Sequence, residues 1–146
     1  MASLIVGLLA GRSKEDVLSP GYEAVPGLWD HQPLVRLVAK IRQGSFRLRN
    51  PPQVRGSGHV IASLEAALWA FARTQSFEEG ALLAVNLGDD ADTTGAVYGQ
   101  VAGAAYGMSG IPERWLSRLA WRDLIQALAD RLVAGAAGVS PGAVTA

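Results

Sequence analysis

Val60-Ile61-Ala62-Ser63-Leu64-Glu65-Ala66-Ala67-Leu68-Trp69-Ala70-Phe71-Ala72-Arg73-Thr74 is the stretch whose periodicity sets the fold class. Ile61, Leu64, Ala67, Leu68 and Phe71 recur at three and four residues, which places them on one helical face with Trp69 beside it. Such a face belongs against a core. Period-two runs of Val, Ile, Tyr and Phe are missing along the whole chain, so the expected class is all-α.

Upstream, the Pro51-Pro52 pair breaks the chain, and Pro33 is expected to open a helix through Leu34, Leu37, Val38 and Ile41 that Gly44 ends. Ser13-Lys14-Glu15-Asp16 resembles a short helix entry, and Met1 to Gly11 reads as a helix. The stretch from Ser19 to Gln32 carries two Pro and two Gly and reads as loop. Downstream, Ser76-Phe77-Glu78-Glu79 has the spacing of a capping box, which predicts a helix to about Leu87. Another helix starts at Thr93. In it Gly95, Gly99, Gly103 and Gly107 form one stripe, and because each interior Gly costs about 1 kcal/mol against Ala, the stripe predicts a closely packed neighbour. The last helices are expected from Pro112 past Trp115 and from Trp121 through Leu132. Residues 1–134 then form one domain and 135–146, made of Ala, Gly, Val, Ser, Thr and Pro, a flexible tail.

At 146 residues and 49% hydrophobic the chain can bury one core. Basic and acidic residues balance at 13 each, which argues against a wholesale polyanion binder. The absence of Cys excludes disulfide scaffolds, thiol nucleophiles and iron–sulfur centres, and two His are too few for an imidazole-rich metal site. No basic residue precedes the first apolar stretch, so it makes a poor secretory signal and the expected location is the cytoplasm. Thr93 to Pro112 carries no charge, yet its five glycines, Gln100 and two Tyr make it too weakly hydrophobic for a membrane span.

Chemistry concentrates at Asp89-Asp90-Ala91-Asp92-Thr93-Thr94, where three carboxylates within four residues repel one another unless something positive compensates. A helix N-terminus offers about half a positive charge and free amides, so one Asp can serve as an N-cap. The surplus charge favours a hard divalent cation, which takes carboxylate and hydroxyl oxygens. A calcium-binding helix-loop-helix register fails, because its twelfth position would be Val101 where a bidentate Glu is needed.

The runs Gly56-Ser57-Gly58-His59-Val60, Ser63-Leu64-Glu65-Ala66-Ala67-Leu68-Trp69-Ala70-Phe71, Ala84 to Thr94, Gly99 to Gly107 and Ile111-Pro112-Glu113-Arg114-Trp115 together resemble the ADP-ribosylglycohydrolase family in order, spacing and motif. The resemblance implies an all-α bundle around a two-magnesium centre, with Mn²⁺ as a substitute. It implies cleavage of the glycosidic bond between ADP-ribose and an acceptor, either an ADP-ribosylated protein or a small conjugate. Asp90, Asp92 and Thr93 would be metal ligands; Asn86 and Asp89, the latter standing where many relatives have Gly, would lie outside them. Gly56, Ser57, Gly58 and His59 would contact substrate, His59 standing where relatives often have an aromatic residue. The metal would lower the pKa of a water that attacks the anomeric carbon.

Family members are about twice this length, and their N-terminal half supplies a Thr-Asp-Asp cluster and the acid–base carboxylate. The resemblance therefore implies a partial bundle lacking the N-terminal half, with catalytic residues unassigned here and little turnover by this chain alone. A separate N-terminal half or a homo-oligomer is the expected partner. The alternative is a non-catalytic structural or nucleotide-binding module that oligomerises through faces exposed by the truncation.

His31 to Leu64 contains Arg36, Lys40, Arg42, Arg47, Arg49 and Arg55 and no acid. Helical spacing spreads these side chains, so they are expected to pair with acids from elsewhere, and without interleaved aromatics no nucleic-acid partner is expected. The four Trp, at 29, 69, 115 and 121, read as packing anchors, and His31 as a loop residue.

Overall fold

The computed structural model describes residues 1–137. The elements are α1 (Ala2–Leu9), α2 (Lys14–Leu18), α3 (Leu28–His31), α4 (Arg36–Arg42), α5 (Val60–Arg73), α6 (Phe77–Val85), α7 (Ala91–Tyr106), α8 (Glu113–Leu116) and α9 (Arg122–Ala137), with 3₁₀ turns at Ser45–Arg47 and Met108–Gly110. No strand occurs among the described residues, so the protein is all-α.

Local chemistry starts the helices where the sequence places them. At α2 the Ser13 hydroxyl accepts the Asp16 amide at 3.0 Å while the Asp16 carboxylate accepts the Ser13 amide at 3.4 Å, a complete capping box. At α6 the Ser76 hydroxyl accepts the Glu79 amide at 3.2 Å, but the Glu79 carboxylate accepts from Gln75 rather than from Ser76. Several boundaries differ from the sequence reading, among them α7, which begins at Ala91 rather than at Thr93, and α6, which ends at Val85. The helix expected from Pro33 begins at Arg36, and the loop expected over 19–32 contains α3, which ends at His31.

The chain divides into two units, Met1–Ile111 and Pro112–Ala146. In the first, α5, α6 and α7 form the centre and α1 packs on α7. Ala66, Ala67, Ala70, Phe71, Ala84, Tyr98, Val101 and Ala102 are wholly buried. Their small side chains let the helices approach closely, and Phe71 and Phe77 meet the Tyr98 ring edge-on, with centroids 6.5 and 5.9 Å away. The Tyr98 hydroxyl donates to the carbonyls of Ser76 and Phe77, 3.3 and 3.1 Å away, where α6 begins. A Cβ on Gly80 would overlap that hydroxyl and lie 2.5 Å from Tyr98 Cζ. Burial pushes the Tyr98 phenol well above its ordinary range, so it is a neutral donor at any working pH.

The far ends of α5 and α7 are tied by Lys14, whose ammonium donates to the Thr74 carbonyl and to the Tyr106 hydroxyl (3.3 Å) and lies 4.7 Å from the centre of the Phe71 ring. Burial lowers its pKa. Within the basic segment Arg42 pairs with Glu23 and Arg49 with the buried Glu65, both at 2.7 Å, while Arg47 donates to the Leu18 carbonyl.

Several expectations are corrected. In the glycine stripe of α7 only Gly95 has a near neighbour, Val85 Cγ1 at 3.0 Å from its notional Cβ. Gly99 and Gly103 have nothing within 4 Å. Of the tryptophans, Trp69 is buried with Arg73 over its ring, whereas Trp121 is 79% exposed in a left-handed backbone conformation and is no packing anchor in its own unit. In the second unit Arg122 pairs with Glu113 at 2.8 Å. Helix α9 runs through Ala137, three residues into the stretch expected to be tail; 138–146 lie outside the described residues.

Gly80→Ala is expected to destabilise the protein by about 1–3 kcal/mol through overpacking against Tyr98. Tyr98→Phe should cost about 1 kcal/mol for the lost hydrogen bonds. Urea unfolding of the two variants and their combination checks this, and the double variant should cost somewhat less than the sum because one of three overlaps at Gly80 goes with the Tyr98 hydroxyl, while those with Tyr98 Cζ and Thr74 Oγ1, at 2.5 and 2.6 Å, remain.

Candidate functional site

Helices α5 and α7 begin at the same end of the bundle, and the loops that lead into them touch. The Asp90 amide donates to the Gly56 carbonyl at 2.6 Å, which locks loop 56–59 to loop 86–90. Gly56 is buried, and a Cβ there would lie 2.5 Å from the Gly88 carbonyl oxygen. A side chain at 56 would push the two backbones apart. Two residues on, a Cβ at Gly58 would overlap Asp90 Oδ2, so Gly58 leaves the space that this carboxylate occupies. The two glycines thus have separate tasks, one for backbone approach and one for making room for the Asp90 carboxylate.

Asp90 is the N-cap of α7. Its Oδ1 accepts the Thr93 amide at 3.3 Å, and Asp92 Oδ1 accepts the same amide at 2.9 Å. Two carboxylates therefore converge on one donor. The structure includes the cap, and Asp92 is the second carboxylate that capping does not require. Hydrogen bonds donated by Asp92, when that carboxyl holds its proton, and then by Thr93 hold the Asp90 carboxyl below the usual carboxylate range, so Asp90 is anionic at neutral pH. Thr94 is wholly buried, its hydroxyl donating to the Asp90 carbonyl at 2.9 Å, which fixes the first turn from below.

The remaining sequence candidates divide. Ser57 accepts the His59 amide on its hydroxyl at 3.2 Å, and His59 is the exposed N-cap residue of α5, making no side-chain cap. These two and the glycines share the rim beside Asp90. Asp89 is exposed and takes a left-handed conformation (φ 59°) directly after Gly88 (φ 74°), a backbone that Gly adopts more readily. Asn86 is the exposed C-cap of α6, and its side chain makes no hydrogen bond to the aspartates. Arg55, which the sequence sets apart from the rest of the basic segment by its place before the Gly-Ser-Gly run, donates through Nε to the Pro52 carbonyl at 2.9 Å.

The donor set fits one side of a hard cation. Two carboxylates and the neighbouring threonine hydroxyl are oxygens of the type that Mg²⁺ takes. No group of three or more His, Cys, Asp and Glu side chains able to hold a metal occurs among the described residues. The other coordination positions would fall to water or to groups outside this set. No helix among the described residues is long and apolar enough to cross a membrane.

Comparison with known proteins gives one consistent result. The family model for ADP-ribosylglycohydrolases matches residues 1–142. The chain is 40% identical over 124 residues to the ADP-ribosylarginine hydrolase Tri1 of Pseudomonas putida (strain GB-1), an alignment that covers 85% of this chain and 31% of the relative. It is 38% identical over 84 residues to the ADP-ribosyl-[dinitrogen reductase] glycohydrolase of Rhodospirillum rubrum, covering 58% of this chain and 28% of that one. A solved ADP-ribosylglycohydrolase-related protein complex superposes with a TM-score of 0.64 at 41% identity, covering 86% of this chain and 43% of that chain. The chain thus spans about a third of the length of the curated relatives it matches.

Gly56→Ala is expected to lower stability by about 1–3 kcal/mol, because the obstacle is a backbone carbonyl, and Gly58→Ala by less, because a carboxylate can swing away. Acid unfolding followed by circular dichroism should show the Asp90 contribution with a definite sign. With its pKa lowered in the folded state, its stabilisation is present above the ordinary carboxylate range and lost as pH falls through the lowered value. Asp90→Asn should remove that part of the pH dependence.

Proposed function

The chain belongs to the ADP-ribosylglycohydrolase family, and from that premise we propose that it forms one wall of a Mg²⁺-dependent site that hydrolyses the glycosidic bond between ADP-ribose and an acceptor. The observation that carries this reading is the seating of the Gly56–His59 loop against the Asp90 carboxylate at the common end of α5 and α7. A glycine-lined rim beside a paired carboxylate admits a sugar closely on one side and a cation on the other.

Asp90, Asp92 and Thr93 would hold the cation, and the same first turn that caps α7 orients them. When bound, Mg²⁺ supplies a polarised, readily ionised water and neutralises charge that develops at the scissile bond. The protein's own contribution is positional. Thr94 and the Gly56 carbonyl fix the Asp90 backbone, Asp90 remains anionic, and Gly56, Ser57, Gly58 and His59 form the surface that the ribose side of the substrate would meet. Asp89 and Asn86 would act from outside the ligand set, Asp89 by adding negative potential at the mouth. The acceptor is proposed as an ADP-ribosylated protein, an arginine conjugate being the first to test because the Pseudomonas relative is named for that substrate.

Two carboxylates and one hydroxyl leave a cation weakly held, so turnover is expected only when the remaining ligands and the acid–base groups are supplied alongside these residues. The test is release of ADP-ribose from ADP-ribosylarginine by this chain together with the remainder of the Pseudomonas relative, with and without Mg²⁺. Activity should require Mg²⁺ and fall at least about 100-fold in Asp90→Asn and in Asp92→Asn, while both variants keep the helical spectrum. Gly58→Ala, which displaces Asp90 Oδ2, should raise the Mg²⁺ concentration for half-activity. Equal release without Mg²⁺, or full activity in both Asn variants, would overturn the reading.

A further inference from the structure

Between Arg47 and Val60 the chain forms no helix, yet it has to deliver the Gly56 carbonyl to the Asp90 amide. Phe46 and Val54, each 3% exposed, seat the two ends of this stretch in the core, whereas residues 47–53 are all exposed. Burying an apolar side chain fixes how deep a backbone lies and has no preferred direction. Direction comes from hydrogen bonds. The Asn50 carbonyl accepts the Gln53 and Val54 amides, 2.9 and 3.3 Å away, so the turn that leads to Gly56 starts at Asn50.

One face of α5 holds that starting point. Glu65, Trp69 and Arg73 stand four residues apart and share the face. The Glu65 carboxylate accepts the Ser45 hydroxyl on Oε1 and the Arg49 guanidinium on Oε2, the latter at 2.7 Å. Arg73 stacks over the Trp69 ring and donates through Nη2 to the Arg49 carbonyl at 3.0 Å and to Asn50 Oδ1 at 3.1 Å. The carboxylate thus holds Arg49 by its side chain, and the guanidinium holds the same residue by its backbone. Glu65 is 8% exposed and outside the cation-binding set. Replacing a buried pair of this kind by apolar residues of similar volume is often neutral for stability, so stability alone does not account for a carboxylate in the second turn of α5.

We propose that Glu65 and Arg73 are positioning residues for the site. They orient segment 45–50 and, through the turn at Asn50, the Gly56–His59 loop, so that Gly56 meets the Asp90 amide and the loop stands ready for the ribose side of the substrate. This inference rests on the reading of that loop as a substrate wall. Neither residue meets the substrate itself: Glu65 acts through Ser45 and Arg49, and Arg73 through Arg49 and Asn50.

Amide hydrogen exchange followed by NMR reads the loop on this chain without any turnover. In Glu65→Leu, which removes both acceptors, the Asp90 amide should exchange at least about tenfold faster relative to the amide of Val101 in the buried middle of α7. Arg73→Met should act the same way, and because Arg73 is exposed, that variant decides the matter if Glu65→Leu does not fold. Glu65→Gln, which retains an acceptor oxygen, should restore most of the protection. Gly80→Ala, which loosens the centre of the bundle, should leave the ratio as in the wild type. Equal acceleration of the Asp90 and Val101 amides would mark Glu65 and Arg73 as general stabilisers and overturn the proposal, as would unchanged exchange at Asp90. With the remainder of the Pseudomonas relative supplied, Glu65→Leu and Arg73→Met should raise KM for ADP-ribosylarginine about tenfold with kcat within about twofold. Selective exchange with KM unchanged would overturn the loop as a substrate wall, and with it the part of these residues in the reaction. Absence of turnover in the wild type would overturn the proposed hydrolysis instead, and the exchange ratio would still decide whether Glu65 and Arg73 position the loop.

Discussion

The contact among α5, α6 and α7 is the constraint from which the rest follows. It is made by alanines and two glycines where larger residues would hold the helices apart: Ala66, Ala67, Ala70, Ala84 and Ala102 are fully buried, Gly80 makes room for Tyr98 and Gly95 for Val85. Close approach turns weak dispersion contacts into a dense core. It also brings the starts of α5 and α7 close enough for the Gly56 carbonyl to receive the Asp90 amide. Packing in the middle of the bundle therefore sets the geometry at its end.

Electrostatics differ at the two ends. Where α7 begins, Asp89, Asp90 and Asp92 lie together and Asp90 is held ionised by hydrogen bonding, an arrangement whose repulsion a cation would relieve. At the far end a single ammonium, Lys14, is enclosed by Phe71, Tyr106 and the Thr74 carbonyl, and its charge serves helix termination and aromatic contact. Along the side, the arginines that form a basic run in sequence are largely spent on Glu23, Glu65 and backbone carbonyls. A linear count of charge gave that run a local excess, which folding reduces by bringing Glu23 to Arg42 and Glu65 to Arg49.

Much of the fold was legible. The apolar positions of α5, the caps at Ser13 and Ser76 and the Asp90 start of α7 are local features, and local hydrogen bonding decides them. Gly56, Gly58, Asp90 and Asp92 stand out in the sequence as a recognisable motif, and the fold seats both glycines against the Asp90 segment. What failed depended on neighbours distant in sequence. Four glycines at regular spacing suggested a neighbour along the whole of α7, yet only Gly95 meets one and Gly107 ends the helix with φ 66°. Trp121 looked like an anchor by residue type, and its exposure shows that type alone does not bury a side chain.

The sequence by itself determined the helical class, the caps and which oxygens are present at the start of α7, since periodicity and capping act over three or four residues. Only the tertiary structure decided that Gly56 yields backbone space while Gly58 yields space for Asp90 Oδ2, and that Arg42 and Arg49 of the basic run pair with Glu23 and Glu65. Those outcomes rest on contacts between segments more than fifteen residues apart, which depend on the close approach of packed helices and have no period to be read along the chain.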